Sequence, residues 1–516
     1  MRNGMRFLFV SLIMGAFIAC SEESESEKNQ KNTQEHQYSV PEVAQADKYV
    51  AQYSSPEGAP PMMSEDIFLP EQIAENSFIE VEKEEISTFS IDVDTASYTL
   101  ARQMLNNGVL PSPSQIRTEE FINFFKYQYT KPTGDTPFAV QMQSEATPWR
   151  EGHQLLKIGI QGKSVDISSR PVSNLAFLID VSGSMSSAGK LGILKRGLIS
   201  MVEKFGENDR LAIVVYAGAA GLVLDSTTGT EKEKIIASLS SLNAGGSTNG
   251  GAGIELAYKI ALENKIEGGI NRVILCTDGD FNVGTTTKDS LDSLIMEKAQ
   301  SGIELSVLGV GMRITSDQRM ESIANKGNGN YYYLDSDAEA KRVLITEMSG
   351  TLQTIAKDVK VQVQFNSEKV KSYKLIGYEN RLLANEDFAD DSKDAGELGS
   401  GHSVTAIYQI ELLDENIANE DLLTLDLRYK DPGGEESKLV QANNVVNPTD
   451  SKDFSFASAV AAFTLKLRGS EEVKDFSFDQ IISLVGNKED LSESRKEFID
   501  LVQKAQILAD NAKEID

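Results

Sequence analysis

The apolar run Leu175-Ala-Phe-Leu-Ile179 stops abruptly at Asp180, and Ser182 and Ser184 follow at alternate positions. A carboxylate and two hydroxyls just past a buried strand are hard oxygen donors on a tight loop, the donor type taken by a small divalent cation such as Mg2+. Two later segments complete the set: Thr248 in the glycine-rich stretch Gly245–Gly251, and Asp278 in Val273-Ile-Leu-Cys-Thr-Asp-Gly279. Mg2+ demands near-octahedral oxygen geometry and keeps water where protein ligands are missing. Taken alone, Asp180-x-Ser-x-Ser fits a loop and helix N-cap equally well. The threonine and second aspartate, in order and in matching context, favour the metal.

Other candidate chemistry is weaker. Asp280 beside Asp278 invites a second metal, but two-metal hydrolysis needs bridging carboxylates and a poised base, and no histidine lies nearby in sequence. Asp92-Val-Asp94 has the look of a phosphotransfer pair, yet Ala96 stands where a hydroxyl or β-branched residue is expected, so these acids read as loop or capping groups. The Gly245–Gly251 loop lacks a P-loop lysine, which disfavours nucleotide, and Gly309-Val-Gly311 is too short a pattern to carry one. His36, His153 and His402 are scattered, too few with Cys20 and Cys276 for a zinc site. Cys276 sits in an apolar run as a small buried hydrophobe. Trp149 and Tyr331-Tyr-Tyr333 read as strand packing.

The elements that must position the oxygen donors alternate in type. Strands are predicted at Leu175–Ile179, Leu211–Tyr216, Leu222–Leu224, Val273–Thr277, Leu305–Val310 and Tyr331–Leu334. Helices are predicted at about 189–205, 231–242, 250–264, 288–301, 316–325 and 338–355. Apolar strands separated by helices imply an α/β, doubly wound parallel sheet covered on both faces. Ligands bind such sheets at the carboxyl ends of the strands, where Asp180, Thr248 and Asp278 all fall. An α+β segment, 86–173, precedes this unit (174–356), and a β-rich segment ending in helices, 357–516, follows it. In the first, Phe121, Phe124 and Phe125 share a helix face; in the second, Phe498, Leu501, Val502, Ala505 and Leu508 form an apolar stripe. Strands on both sides of the central unit lead to the expectation that the flanking segments share a β-sandwich into which it is inserted.

With 50 Lys+Arg against 78 Asp+Glu the formal charge is −28, a surface that repels nucleic acid and anionic lipid. Arg2 and Arg6 precede an apolar stretch, Phe7 to Ala19, too short to span a bilayer as a mature helix. This is read as an export signal, residues 1–19. Phe17-Ile-Ala-Cys20 resembles a bacterial lipobox, departing from it at Phe17 where leucine is usual, which makes Cys20 the expected lipidation site. The acidic run after Cys20 resembles the surface-export signal of Bacteroidota lipoproteins, with a plain solvated linker as the alternative. Residues 20–85 are polar and rich in Pro and Ser, the composition of a disordered tether.

Asp-x-Ser-x-Ser, then Thr, then Thr-Asp-Gly resembles the metal-ion-dependent adhesion site of von Willebrand factor type A (VWA) domains. Phe89-Ser-Ile-Asp-Val-Asp-Thr-Ala-Ser-Tyr98, Arg117-Thr-Glu-Glu-Phe-Ile-Asn-Phe-Phe125 and Leu375-Ile-Gly-Tyr-Glu-Asn-Arg381 are similar to stretches of the bacterial VWA lipoproteins of the YfbK-like family. The resemblance implies a Rossmann-like VWA sheet and a site at Asp180, Ser182, Ser184, Thr248 and Asp278. Ser182 and Ser184 are then direct ligands, and Thr248 is coupled to ligand state. The implied cofactor is Mg2+, with Mn2+ and Ca2+ as alternatives. The implied partner is a protein presenting Asp or Glu to complete the shell. The expected protein is not an enzyme and binds neither nucleic acid nor nucleotide. It is held at the bacterial envelope by its N-terminal lipid, in the outer membrane or at the cell surface. An envelope hydrolase using the same site, and a structural VWA unit with an empty site, are the competing readings.

Overall fold

The computed structural model describes residues 74–515 apart from 166–169, 188, 247–249, 280–287, 312–315, 348–352, 415, 416, 418, 420 and 447–451. The export signal, Cys20, Thr248 and Asp280 therefore lie outside the described residues. So does most of the tether.

Strands β1 (Ile79–Glu80), β2 (Ile86–Ser90), β3 (Phe138–Ala146) and β4 (His153–Gly162) come first, with helices Ala96–Asn106 and Thr118–Phe124 between β2 and β3. The central unit follows: β5 (Ser173–Asp180), β6 (Arg210–Tyr216), β7 (Ala220–Thr228), β8 (Ile270–Thr277), β9 (Glu304–Val310) and β10 (Tyr331–Leu334). Their order is β10-β9-β8-β5-β6-β7, parallel from β10 to β6. β7 returns antiparallel to β6, because the few residues between them are too few for a crossover helix. β5 and β8 are buried along their whole length, as strands covered on both faces must be. One apolar cluster packs each face: Leu178, Val214, Ile254 and Leu275 on one side, Phe177, Ile213, Leu194 and Ile274 on the other.

The chain then builds β11 (Thr354–Phe365), β12 (Val370–Ile376), β13 (Gly396–Gly399), β14 (Ser403–Leu412), β15 (Leu423–Lys430), β16 (Ser437–Ala442) and β17 (Val445–Val446). These strands interleave with the N-terminal ones. One sheet runs β1-β12-β14-β4-β3-β17; the other runs β13-β11-β15-β16, with β2 also paired to β11. A single apolar cluster holding Phe89, Ile158, Val361, Tyr408 and Leu425 fills the space between them. The flanking segments thus share a β-sandwich, and the α/β unit is inserted between β4 and β11. Helices Lys452–Arg468, Phe478–Val485 and Glu493–Ile515 join the two N-terminal helices as a third layer, whose cluster reaches Leu155, Ile376 and Ile407 of the larger sheet. Among the described residues no helix is long and apolar enough to cross a membrane.

Five elements differ from expectation. The helix expected over 338–355 is only Asp337–Lys341 followed by a π-turn at Arg342–Glu347, and Thr354–Ala356 already belong to β11. The helix expected to carry Phe121, Phe124 and Phe125 on one face spans only Thr118–Phe124; Phe125 is extended, and Phe125 and Tyr127 bury themselves individually in the helical layer. β13, β16 and the helix Phe478–Val485 were not foreseen.

Candidate metal-binding site

Asp180 is the last residue of β5, and Asp278 follows the last residue of β8 by one. The two strands are hydrogen-bonded neighbours with Ile179 opposite Cys276, so both carboxylates emerge at the carboxyl edge of the sheet. Both are buried, as is Ser182; Ser184 is on the rim. The loop after β5 is folded by Asp180 itself, whose Oδ1 accepts the Ser182 amide at 2.8 Å. That turn brings the Ser182 and Ser184 hydroxyls to 3.0 Å from each other.

The glycine-rich loop is clasped to this turn by backbone bonds. The Gly183 amide donates to the Gly246 carbonyl at 3.0 Å, and the Gly245 amide to Val181 at 2.7 Å. Gly246 has φ +91° and Gly279 φ +93°, conformations in which a side chain is strained. Thr248 lies two residues beyond Gly246, outside the described residues, so its loop is seen to reach the site but its hydroxyl is not placed.

The free valences of the site call for a cation. Asp180 Oδ2 is buried and accepts no hydrogen bond of ordinary geometry, with the Tyr216 hydroxyl beside it. Burial first, and then repulsion from Asp278, raises the Asp180 carboxyl above its usual range. Lys190 donates its ammonium to Asp278 Oδ2 at 2.8 Å. Two carboxylates and a hydroxyl pair form an oxygen donor set that fits a small divalent ion, and the Lys190 ammonium supplies positive charge to Asp278 in its place.

Lys190 and Tyr216 were missed in the sequence. Lys190 had a readable signal: it opens the helix Leu191–Val202, where a positive charge opposes the helix dipole, so its charge is spent on a tertiary partner. Cys276 is a free, buried thiol, raised by desolvation. Tyr331, Tyr332 and Tyr333 are all buried in β10, and half-buried Trp149 donates to Gln409 at 3.1 Å. Asp92 and Asp94 do shape a loop, the Asp94 amide donating to Asp92 Oδ1 at 3.0 Å, but neither caps the following helix. Asp94 Oδ1 instead accepts the amide of Tyr331 at the start of β10.

Three family models match the chain in sequence: "von Willebrand factor" over residues 68–157, "von Willebrand factor type A domain" over 174–347, and "Uncharacterized protein YfbK, C-terminal" over 350–508. The protein described as uncharacterized protein YfbK from Escherichia coli strain K12 is 40% identical over 472 residues, 85% of this chain and 81% of that one. The chain belongs to the YfbK family. Its VWA unit alone is shared with human inter-alpha-trypsin inhibitor heavy chain H3, 29% identical over 176 residues, 32% of this chain and 20% of that protein. A solved von Willebrand factor type A protein from Catenulispora acidiphila covers 63% of this chain and 80% of its own, at 16% identity and a TM-score of 0.39. Within the family, β5 to β10 are the VWA unit, a module of interaction or adhesion type that often binds a divalent metal at its carboxyl edge.

Proposed function

We propose that this protein is a lipid-anchored envelope protein that binds a protein ligand through a divalent cation, Mg2+ in the first instance, held at the carboxyl edge of the VWA sheet. Asp180, Ser182, Ser184, Thr248 and Asp278 would hold the ion. When bound, it supplies an electrophilic centre that an Asp or Glu of the ligand completes by a charge-assisted contact. The observation that carries the reading is a pair of buried carboxylates, Asp180 and Asp278, on adjacent strand ends, with a hydroxyl pair 3.0 Å apart on the turn that Asp180 folds and Ser184 exposed.

The chain's own residues set the terms of binding. Asp180 shapes the turn with one oxygen and would offer the other to the ion. Lys190 neutralises Asp278 and must be displaced from it, or share it, when the ion enters. A hydrolase at the same site finds less support. His153 lies in β4 and His402 just before β14, both in the sandwich, and neither can serve as a base at the VWA edge. Cys20 remains the expected anchor and the envelope the expected location, a reading that rests on the leader's composition.

The test uses the soluble form lacking residues 1–20. Its melting temperature should rise with MgCl2 and fall back with chelator, and Asp180→Ala or Asp278→Ala should erase that response. In a pull-down from envelope extract, a partner retained with Mg2+ and released by chelator is the expected result. A melting curve indifferent to Mg2+ and chelator sinks the proposal.

A further inference from the structure

A second group of acids lies away from the VWA edge, where the N-terminal segment meets β10 and the helix Asp317–Lys326. Asp92, Glu120 and Glu321 each bring a carboxylate oxygen within 4.8 Å of the other two, and all three are buried. They come from three places: the loop after β2, the helix Thr118–Phe124 and the helix Asp317–Lys326 of the VWA unit. Two oxygens facing each other across a Ca2+ ion at about 2.4 Å lie about 4.8 Å apart, so this spacing fits a shared ion.

Most of their oxygens are already oriented. Glu120 accepts from the Ser97 amide at 2.7 Å and from the Arg117 guanidinium. Glu321 accepts from Asn380 at 2.6 Å and lies 3.4 Å from Arg117 Nε. Asp92 Oδ1 takes the Asp94 amide at 3.0 Å and Arg381 at 3.1 Å. Asp92 Oδ2 takes nothing, although the residue is only 3% exposed. An unpartnered carboxylate oxygen buried beside two more carboxylates is costly unless a cation meets it.

Carboxyls outnumber the protein's own cations here. Asp94, Glu119 and Asp317 are buried in the same region, making six carboxyls against the two guanidiniums of Arg117 and Arg381. Arg117 spends its Nη1 on Asp317 at 2.6 Å. Asp92 also borders a polar cavity of about 270 Å3, lined in part by Asp94, Asn328, Asn330, Asn380 and Arg381.

We propose that Asp92, Glu120 and Glu321 bind a divalent cation, Ca2+ by their all-carboxylate donor set away from water, which ties the N-terminal segment to the VWA unit independently of the VWA-edge site. Asp278→Ala separates the two sites. Metal-stripped Asp278→Ala protein, exposed to CaCl2 and desalted, should retain one Ca2+ per chain by elemental analysis and melt at a higher temperature than the stripped form. Adding Asp92→Asn should abolish both. Should Asp92→Asn fail to fold, Glu321→Gln provides the second arm, with a weakened Ca2+ response expected. Asp278→Ala protein that retains no Ca2+ and melts identically with and without it overturns the proposal, and leaves shared protons as what reconciles the three carboxyls.

Discussion

Lys190 sits 2.8 Å from Asp278 Oδ2, so the proposed metal would compete with an internal ammonium. Replacing it with an uncharged residue of similar shape, Lys190→Met, should tighten Mg2+ binding about tenfold, the worth of one charge-assisted hydrogen bond. Isothermal titration with MgCl2 checks this; unchanged or weaker affinity would show that Lys190 supports the ion instead. Glu397 lies beside Glu304, Lys357 and Arg272, far from that edge. Burial first, then repulsion from Glu304, pushes its carboxyl up to about 8. A carboxyl raised in the fold binds its proton more tightly there than in the unfolded chain. Its contribution is complete at acid pH, below the ordinary carboxyl range, and is lost as pH climbs through about 8. Melting temperature should therefore fall between pH 5 and 9, and Glu397→Gln should flatten that slope. An identical slope in the variant would mean other groups carry it. At this scale Asp180, Ser182 and Asp278 were legible because their spacing is local to two strand ends. Tyr216 was not, since a tyrosine ending an apolar strand reads as core until a neighbouring strand sets it beside a carboxylate.

Helix Ala96–Asn106 helps hold the N-terminal segment to the VWA unit. Its Arg102 reaches Asp335 at 2.6 Å, Glu339 at 3.0 Å and Glu497 at 3.1 Å, and lies over the rings of Tyr98 and Phe124. One guanidinium thus joins the end of β10, the short helix Asp337–Lys341 and the final helix. Arg102→Met keeps the stem but leaves Asp335 buried without its cation and Glu339 with Arg342 alone. The expected cost is about 3–5 kcal/mol in urea unfolding; a loss below about 1 kcal/mol would show that Arg342, also on Glu339, takes over. The strands of the VWA sheet were readable because each is a continuous apolar run bounded by turns. Helix 338–355 was over-read because Ala338 to Ile355 keeps helical composition. What ends it is the pairing of Thr354–Ala356 with β13, a partner some forty residues downstream.

Across the whole molecule, β4 pairs with β14 from Gln161–Ser403 to His153–Glu411, and β2 pairs with β11. Neither flanking segment holds a complete sandwich. The fragment 357–516 should therefore aggregate alone, with β11 and β14 exposing unpaired edges, and should become soluble on co-expression with 74–165. A monomeric, cooperatively melting 357–516 would contradict the shared core. The amino-acid order alone determined the alternation of strand and helix from 174 to 347, the strand ends that carry Asp180 and Asp278, and the family stretches on either side, because these signals lie within a dozen residues of chain. Tertiary structure decided which strands interleave into the sandwich, that Lys190 answers Asp278, and that Asp92, Glu120 and Glu321 meet. Those contacts close loops of tens to hundreds of residues, and their partners are chosen by burial and charge in three dimensions, which no local pattern records.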